Sequence, residues 1–176
     1  IIDEAFPGDV LGLPNNGIFA IGDTLCSGKP LQFAPIPRFQ PEHFALLRNL
    51  DVGKQKQFAK GLQQLESEGA VQILYNVNAF RREPILAVVG QLQFEVVQAR
   101  LQTEYNVATE LERLSHTLLR WIQGEDKDIE ALPNRADAII ARDSRNAWTA
   151  LFQTPFLLKY YTEKNPNLHF VDITEM

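Results

Sequence analysis

At 176 residues the chain is long enough to bury a sizeable core, and its 45% hydrophobic content is that of an ordinary soluble globular protein. The single cysteine, Cys26, excludes an internal disulfide, and no apolar run approaches the roughly 18 residues that cross a bilayer. A net charge of -5 argues against wholesale wrapping of nucleic acid, which calls for a basic balance.

The first stretch, 1–36, reads as β. Pro7-Gly8-Asp9, Pro14-Asn15-Asn16-Gly17 and Ser27-Gly28 punctuate short apolar pieces, and Asn16-Gly17 is a hairpin signal because both residues tolerate positive φ. Such hairpins suit the end of a small β-barrel, although 36 residues are too few to close one. The chain opens Ile1-Ile2-Asp3-Glu4, like the middle of a strand, with no signal peptide, so a truncated cytosolic protein is expected. Ala34-Pro35-Ile36-Pro37 reads as a junction, which predicts two domains, 1–36 and 37–176.

Beyond the junction the period changes. Phe44–Leu50 predicts a strand, and Asp51 caps a helix to about Glu68 in which Phe58, Leu62 and Leu65 share one face. Val71, Ile73 and Tyr75 alternate as a strand, and Ile85–Val89 is an apolar strand. A second helix carries Phe94, Val97, Leu101 and Tyr105, and Thr117–Ile122 supplies another strand. The order is β-α-β-β-α-β, a split βαβ unit in an α+β fold. A mixed α/β tail follows: a short helix at 126–132, strands at 138–141 and 147–152, a helix from Pro155 to about Lys164 and a last strand at 168–173.

The sequence carries no visible active site. Gly22-Asp23-Thr24-Leu25-Cys26-Ser27-Gly28-Lys29-Pro30 imitates a phosphate-binding glycine loop, but it has five residues between the glycines and Pro30 where a hydroxyl belongs. No catalytic residue, metal site or cofactor is therefore expected in this chain. Cys26 as the nucleophile of a stand-alone thiol enzyme needs a base from His43, His116 or His169, and no local motif supplies one; a semi-buried thiol near a turn is the plainer reading. The histidines lack metal-ligand spacing and read as surface or satisfied side chains. Glu66/Glu68 and Glu110/Glu112 read as solvated charges.

Charge is uneven. Between Pro37 and Tyr75 five bases stand against four acids, whereas from Gly124 onward nine acids face six bases. Polyanion contact is thus expected from the centre. Lys54, Lys56 and Lys60 are expected to form one outward ridge on the first helix, opposite Phe58, with Arg81-Arg82 in a later loop. An RNA-recognition module is set aside because Ile85–Val89 has no stacking aromatics.

Three groups of residues resemble one family. Lys54-Gln55-Lys56-Gln57 through Lys60-Gly61-Leu62-Gln63-Gln64-Leu65 to Glu68-Gly69-Ala70-Val71-Gln72 is similar to the first helix and strand that follow the β-barrel in the peptide chain release factor 3 family. Val89-Gly90-Gln91-Leu92-Gln93-Phe94-Glu95-Val96-Val97, with Ala99-Arg100-Leu101 and Glu104-Tyr105-Asn106-Val107, resembles its second helix. Ala5-Phe6-Pro7-Gly8-Asp9 and Ile21-Gly22-Asp23-Thr24 resemble the closing strands of its β-barrel. The resemblance implies a piece of a cytoplasmic, monomeric translational GTPase. Its GTP/GDP and Mg2+ would belong to a preceding domain. It would bind ribosomal RNA and protein and promote departure of class I release factors after peptide release, with Lys54, Lys56 and Lys60 as ribosome contacts. The Gly90–Val96 motif also resembles elongation factor G, which keeps a ribosome-dependent GTPase of that type as an alternative.

Overall fold

The computed structural model describes residues 2–14, 18–19, 21–31, 33, 39–79 and 83–172. The chain falls into two compact units, Ile1–Ile36 and Pro37–Met176. In the first, the described residues form turns and bends but no strand. Gly8, Gly22 and Gly28 take positive φ, and the Phe6 N–H donates to Asp9 Oδ2 at 2.8 Å. The expected hairpins are therefore not seen among these residues, and Asn16-Gly17 and the Ala34–Pro37 junction lie outside the described ones. A strand is held by its ladder and its buried face, and here Phe6, Val10 and Ile18 stay exposed.

The second unit is α+β. Strand β1 (His43–Asn49) leads through a 3-10 turn (Val52–Lys54) into helix α1 (Gln55–Ser67), then strands β2 (Gln72–Asn76) and β3 (Pro84–Val88), helix α2 (Leu92–Tyr105) and strand β4 (Thr109–Leu114). Asp51 caps the turn by accepting from the Gly53 N–H at 2.9 Å. The strands stand in the order β4-β1-β3-β2, all antiparallel, the arrangement of a split βαβ unit. Its closing strand is β4, not the expected 117–122 segment. The expected segment is the next strand, β5 (Leu118–Gln123).

The tail continues the same sheet. Helix α3 (Asp126–Glu130), strands β6 (Ala138–Asp143) and β7 (Trp148–Phe152), helix α4 (Pro155–Lys164) and strand β8 (His169–Val171) follow. β6 pairs with β2 through Leu74↔Asp143 and Tyr75↔Arg142, giving eight strands among the described residues in the order β4-β1-β3-β2-β6-β7-β5-β8.

Alternation of side chains builds three cores. Ala45, Leu47, Ile73, Leu86 and Val88 face α1 and α2, where Phe58, Leu62, Leu65, Phe94, Val97 and Leu101 meet them. The opposite face, with Phe44, Leu74, Ile85 and Ala87, packs on Leu119, Trp121, Ile139 and Leu151 of the tail strands. Ile122, Ile140, Ala150 and Phe152 point the other way, onto α3 and α4. Every residue of β3 and β7 is buried, and β3 accordingly reads as an apolar run.

Candidate functional site

The two segments with the strongest local patterns are fastened to each other. Gln93 of α2 accepts from the Val89 and Gly90 N–H groups at 3.0 and 2.9 Å and donates to the Ala70 carbonyl at 3.0 Å, tying the start of α2 to the end of α1. Asn106 ends α2 in the left-handed conformation, φ 53°. Arg100 bridges Glu68, at the carboxyl cap of α1, and Glu104 of α2; both carboxylates are held below their usual range by its guanidinium.

Lys54 does not join the ridge. It precedes the first residue of α1, and its ammonium donates to the Asn106 carbonyl at 2.7 Å and pairs with Asp51 at 3.4 Å. Four residues before Phe58 is about 40° around a helix, so Lys54 belongs on the flank of the buried face. There it serves the carboxyl end of α2, where a cation is favourable. Lys56 and Lys60 are exposed on α1, one turn apart, with no ion pair among the described residues. Arg48 is engaged as well: it pairs with Glu83 at 3.2 Å, Glu110 at 3.9 Å and Glu112 at 2.5 Å. Of the central bases described, Lys56 and Lys60 are thus the two left to meet an outside anion. Arg81 and Arg82 lie outside the described residues.

Other sequence expectations change. Glu66 is not a simple solvated charge: half-buried, it accepts from the Ile73 N–H at 3.1 Å, and burial raises its pKa. Cys26 is exposed rather than semi-buried, its thiol 3.7 Å from the Lys29 carbonyl. His169 is exposed on β8. His116 is 4% exposed and neither ring nitrogen has a hydrogen-bond partner of proper geometry, so it is neither a surface nor a satisfied histidine. No sequence signal marks it, because its burial arises where the β4–β5 connection meets the end of β7.

His116 also gives the fold an acid limit. Burial lowers its pKa, opposed by the Asp137 charge and the Ala136 backbone. The unfolded chain, with histidine near 6.5, then binds more protons than the folded one below that pH, so stability is lost as pH falls from about 6.5 through the folded value. Glu66, its folded pKa raised, works in the opposite sense in the window just above 4.5. A His116→Gln variant is expected to flatten the decline in melting temperature as pH falls below about 6.5. An unchanged decline in that variant would assign it to other groups.

Among the described residues no cluster of His, Cys, Asp or Glu could hold a metal, and no helix is long and apolar enough to cross a membrane. A concavity of about 560 Å³ opens between the start of β1 and the β4–β5 connection.

Residues 33–162 match the family model described as "Class II release factor RF3, C-terminal domain". The chain is 48% identical over 176 residues to peptide chain release factor 3 of Gloeobacter violaceus, an alignment covering 99% of this chain and 33% of that protein. It is 47% identical over 172 residues to peptide chain release factor 3 of Gloeothece citriformis, covering 98% and 32%. With the factor of the same name from Microcystis aeruginosa it shares 47% over 173 residues, again 98% and 32%. The chain spans about a third of the length of these curated relatives.

Proposed function

The chain belongs to the release factor 3 C-terminal domain family, and from that premise we propose that it is the ribosome-docking part of a translational GTPase that promotes departure of class I release factors after peptide release. The observation that carries this reading is the identity of nearly half, sustained over nearly the whole chain, with proteins bearing that name. The same identity favours a release factor over the elongation factor G type. GTP or GDP with Mg2+ would bind in another part of the whole protein. Residues 1–36 would be the end of a β-barrel domain and 37–176 the C-terminal α+β domain. The protein would work as a cytoplasmic monomer.

The docking surface is assigned to Lys56 and Lys60. Their ammonium groups lack internal partners among the described residues, while Phe58, Leu62 and Leu65 hold the opposite side of α1 in the core. Two ammonium groups on one exposed ridge attract RNA phosphates and release counterions. Lys54 is left out of this surface because its charge is already used.

Reversing Lys56 and Lys60 to glutamate in the whole protein is expected to weaken ribosome binding roughly tenfold at physiological salt and to reduce the salt slope by about one for each lysine reversed. The melting temperature should hardly move, since exposed charges contribute little to stability. Sedimentation with ribosomes over a salt series reads both quantities. Wild-type affinity and slope in the double variant would remove these lysines from the interface.

A further inference from the structure

We propose that the cleft between the start of β1 and the β4–β5 connection is a subsite for one nucleotide of single-stranded RNA, bound through its phosphate by Arg113 and Arg120. The choice of RNA as the polymer rests on the ribosome reading; the site itself rests on three observations in the second unit.

The cleft is a nucleotide-sized concavity of about 560 Å³ with mixed walls. Leu114 and Leu118 give it apolar surface, while Gln91, Ser115 and Thr117 give it neutral donors and acceptors. Phosphate contacts position a nucleic acid, and such neutral groups meet its sugar and base edges.

Its two guanidinium groups are unclaimed by acids. Arg113 lies over the Phe94 ring, 5.3 Å from its centroid, and gives one N–H to Gln91 Oε1 at 2.8 Å. Arg120 gives one N–H to the Leu119 carbonyl at 2.7 Å. Each guanidinium has five donors, and neither makes an ion pair among the described residues, in a chain where acids outnumber bases. Arg48 and Arg100, by contrast, are held by carboxylates. A planar fork with spare donors suits the oxygens of a phosphate.

His116 is the third observation. It lines the same cleft from a buried position; the Ala136 backbone and the Asp137 charge act on it, but neither ring nitrogen makes a hydrogen bond of proper geometry. Buried polar atoms are almost always satisfied by protein, water or ligand, so this ring marks a place where a hydrogen-bonding guest belongs. Glu42 is the one carboxylate in the lining. It can accept from a ribose 2′-hydroxyl, a group that an acidic peptide and DNA both lack.

The test titrates the 176-residue chain with a labelled single-stranded RNA hexanucleotide, read by anisotropy and by amide shifts in NMR. The expected result is binding that shifts Ser115–Leu118, is weaker for DNA of the same sequence, and falls at least tenfold in Arg113→Glu/Arg120→Glu. Because Arg113 packs on Phe94, Arg120→Gln is measured alongside; it should keep the wild-type melting temperature and still weaken binding several-fold. Wild-type RNA affinity in both variants overturns the proposal. So does an acidic peptide that binds the cleft when RNA does not, or inorganic phosphate that competes as well as the oligonucleotide, which would leave a bare oxyanion site. Ribosome sedimentation of the whole protein separates the two readings. If wild-type protein binds ribosomes and the Arg113→Glu/Arg120→Glu variant binds them equally, the subsite falls and the ribosome reading stands. If wild-type protein does not bind ribosomes, that reading falls, and the oligonucleotide titration still decides the cleft.

Discussion

Gly61→Val is expected to destabilise the second unit by about 2–3 kcal/mol, lowering the melting temperature by roughly 6–10 °C. Gly61 sits inside α1, where glycine costs about 1 kcal/mol against alanine, so the position forgoes helix propensity for another benefit. The benefit is approach. A Cβ on Gly61 would stand 2.6 Å from Leu101 Cδ2 and 3.0 Å from the Tyr105 ring. Leu101 is fully buried among α1, α2 and the sheet, so it has little room to retreat. Valine adds two further carbons and a stiff χ1, and overpacking of this sort outweighs its small propensity gain. Leu101→Ala should relieve part of the clash, so the double variant should cost about 1 kcal/mol or more less than the two single costs summed. Chemical denaturation of the four proteins completes the cycle. A loss under about 0.5 kcal/mol for Gly61→Val would mean that α1 and α2 do not meet here.

The α1–α2 approach is a tertiary fact, whereas the legible parts of the sequence are local ones. Pro155 in the first turn of α4 and the apolar run of β3 are local signals, and each marks the element where it stands, whereas Asp51, expected to cap α1, caps the 3-10 turn before it and leaves α1 to start at Gln55 with no side-chain cap. β4 is hidden because Thr109-Glu110-Leu111-Glu112-Arg113-Leu114 carries three charges in six residues. Those charges befit a strand at the edge of the sheet, with one side open to water. Pairing of β2 with β6 joins residues about 70 apart, which no local period announces. The site is half legible. Lys56 and Lys60 follow from the phase of α1, but placing Lys54 requires knowing that the carboxyl end of α2 lies beside it. The cleft is invisible in the sequence, since Arg113, His116 and Arg120 converge with the start of β1 only after the sheet has formed.

The largest functional effect should come from removing the second unit altogether. Tenfold from the two lysines is only about 1.4 kcal/mol, a small part of the binding energy a whole docking unit can supply. On the proposed reading, the whole protein deprived of that unit should keep its nucleotide site and lose its hold on the ribosome. The decisive measurement is the rate at which a labelled class I release factor leaves post-termination ribosomes, with the intact protein and with one lacking residues 37–176. The account predicts near-intact GTP affinity in the truncated protein together with a release-factor departure rate no faster than with no factor added. Departure at the intact protein's rate would contradict it.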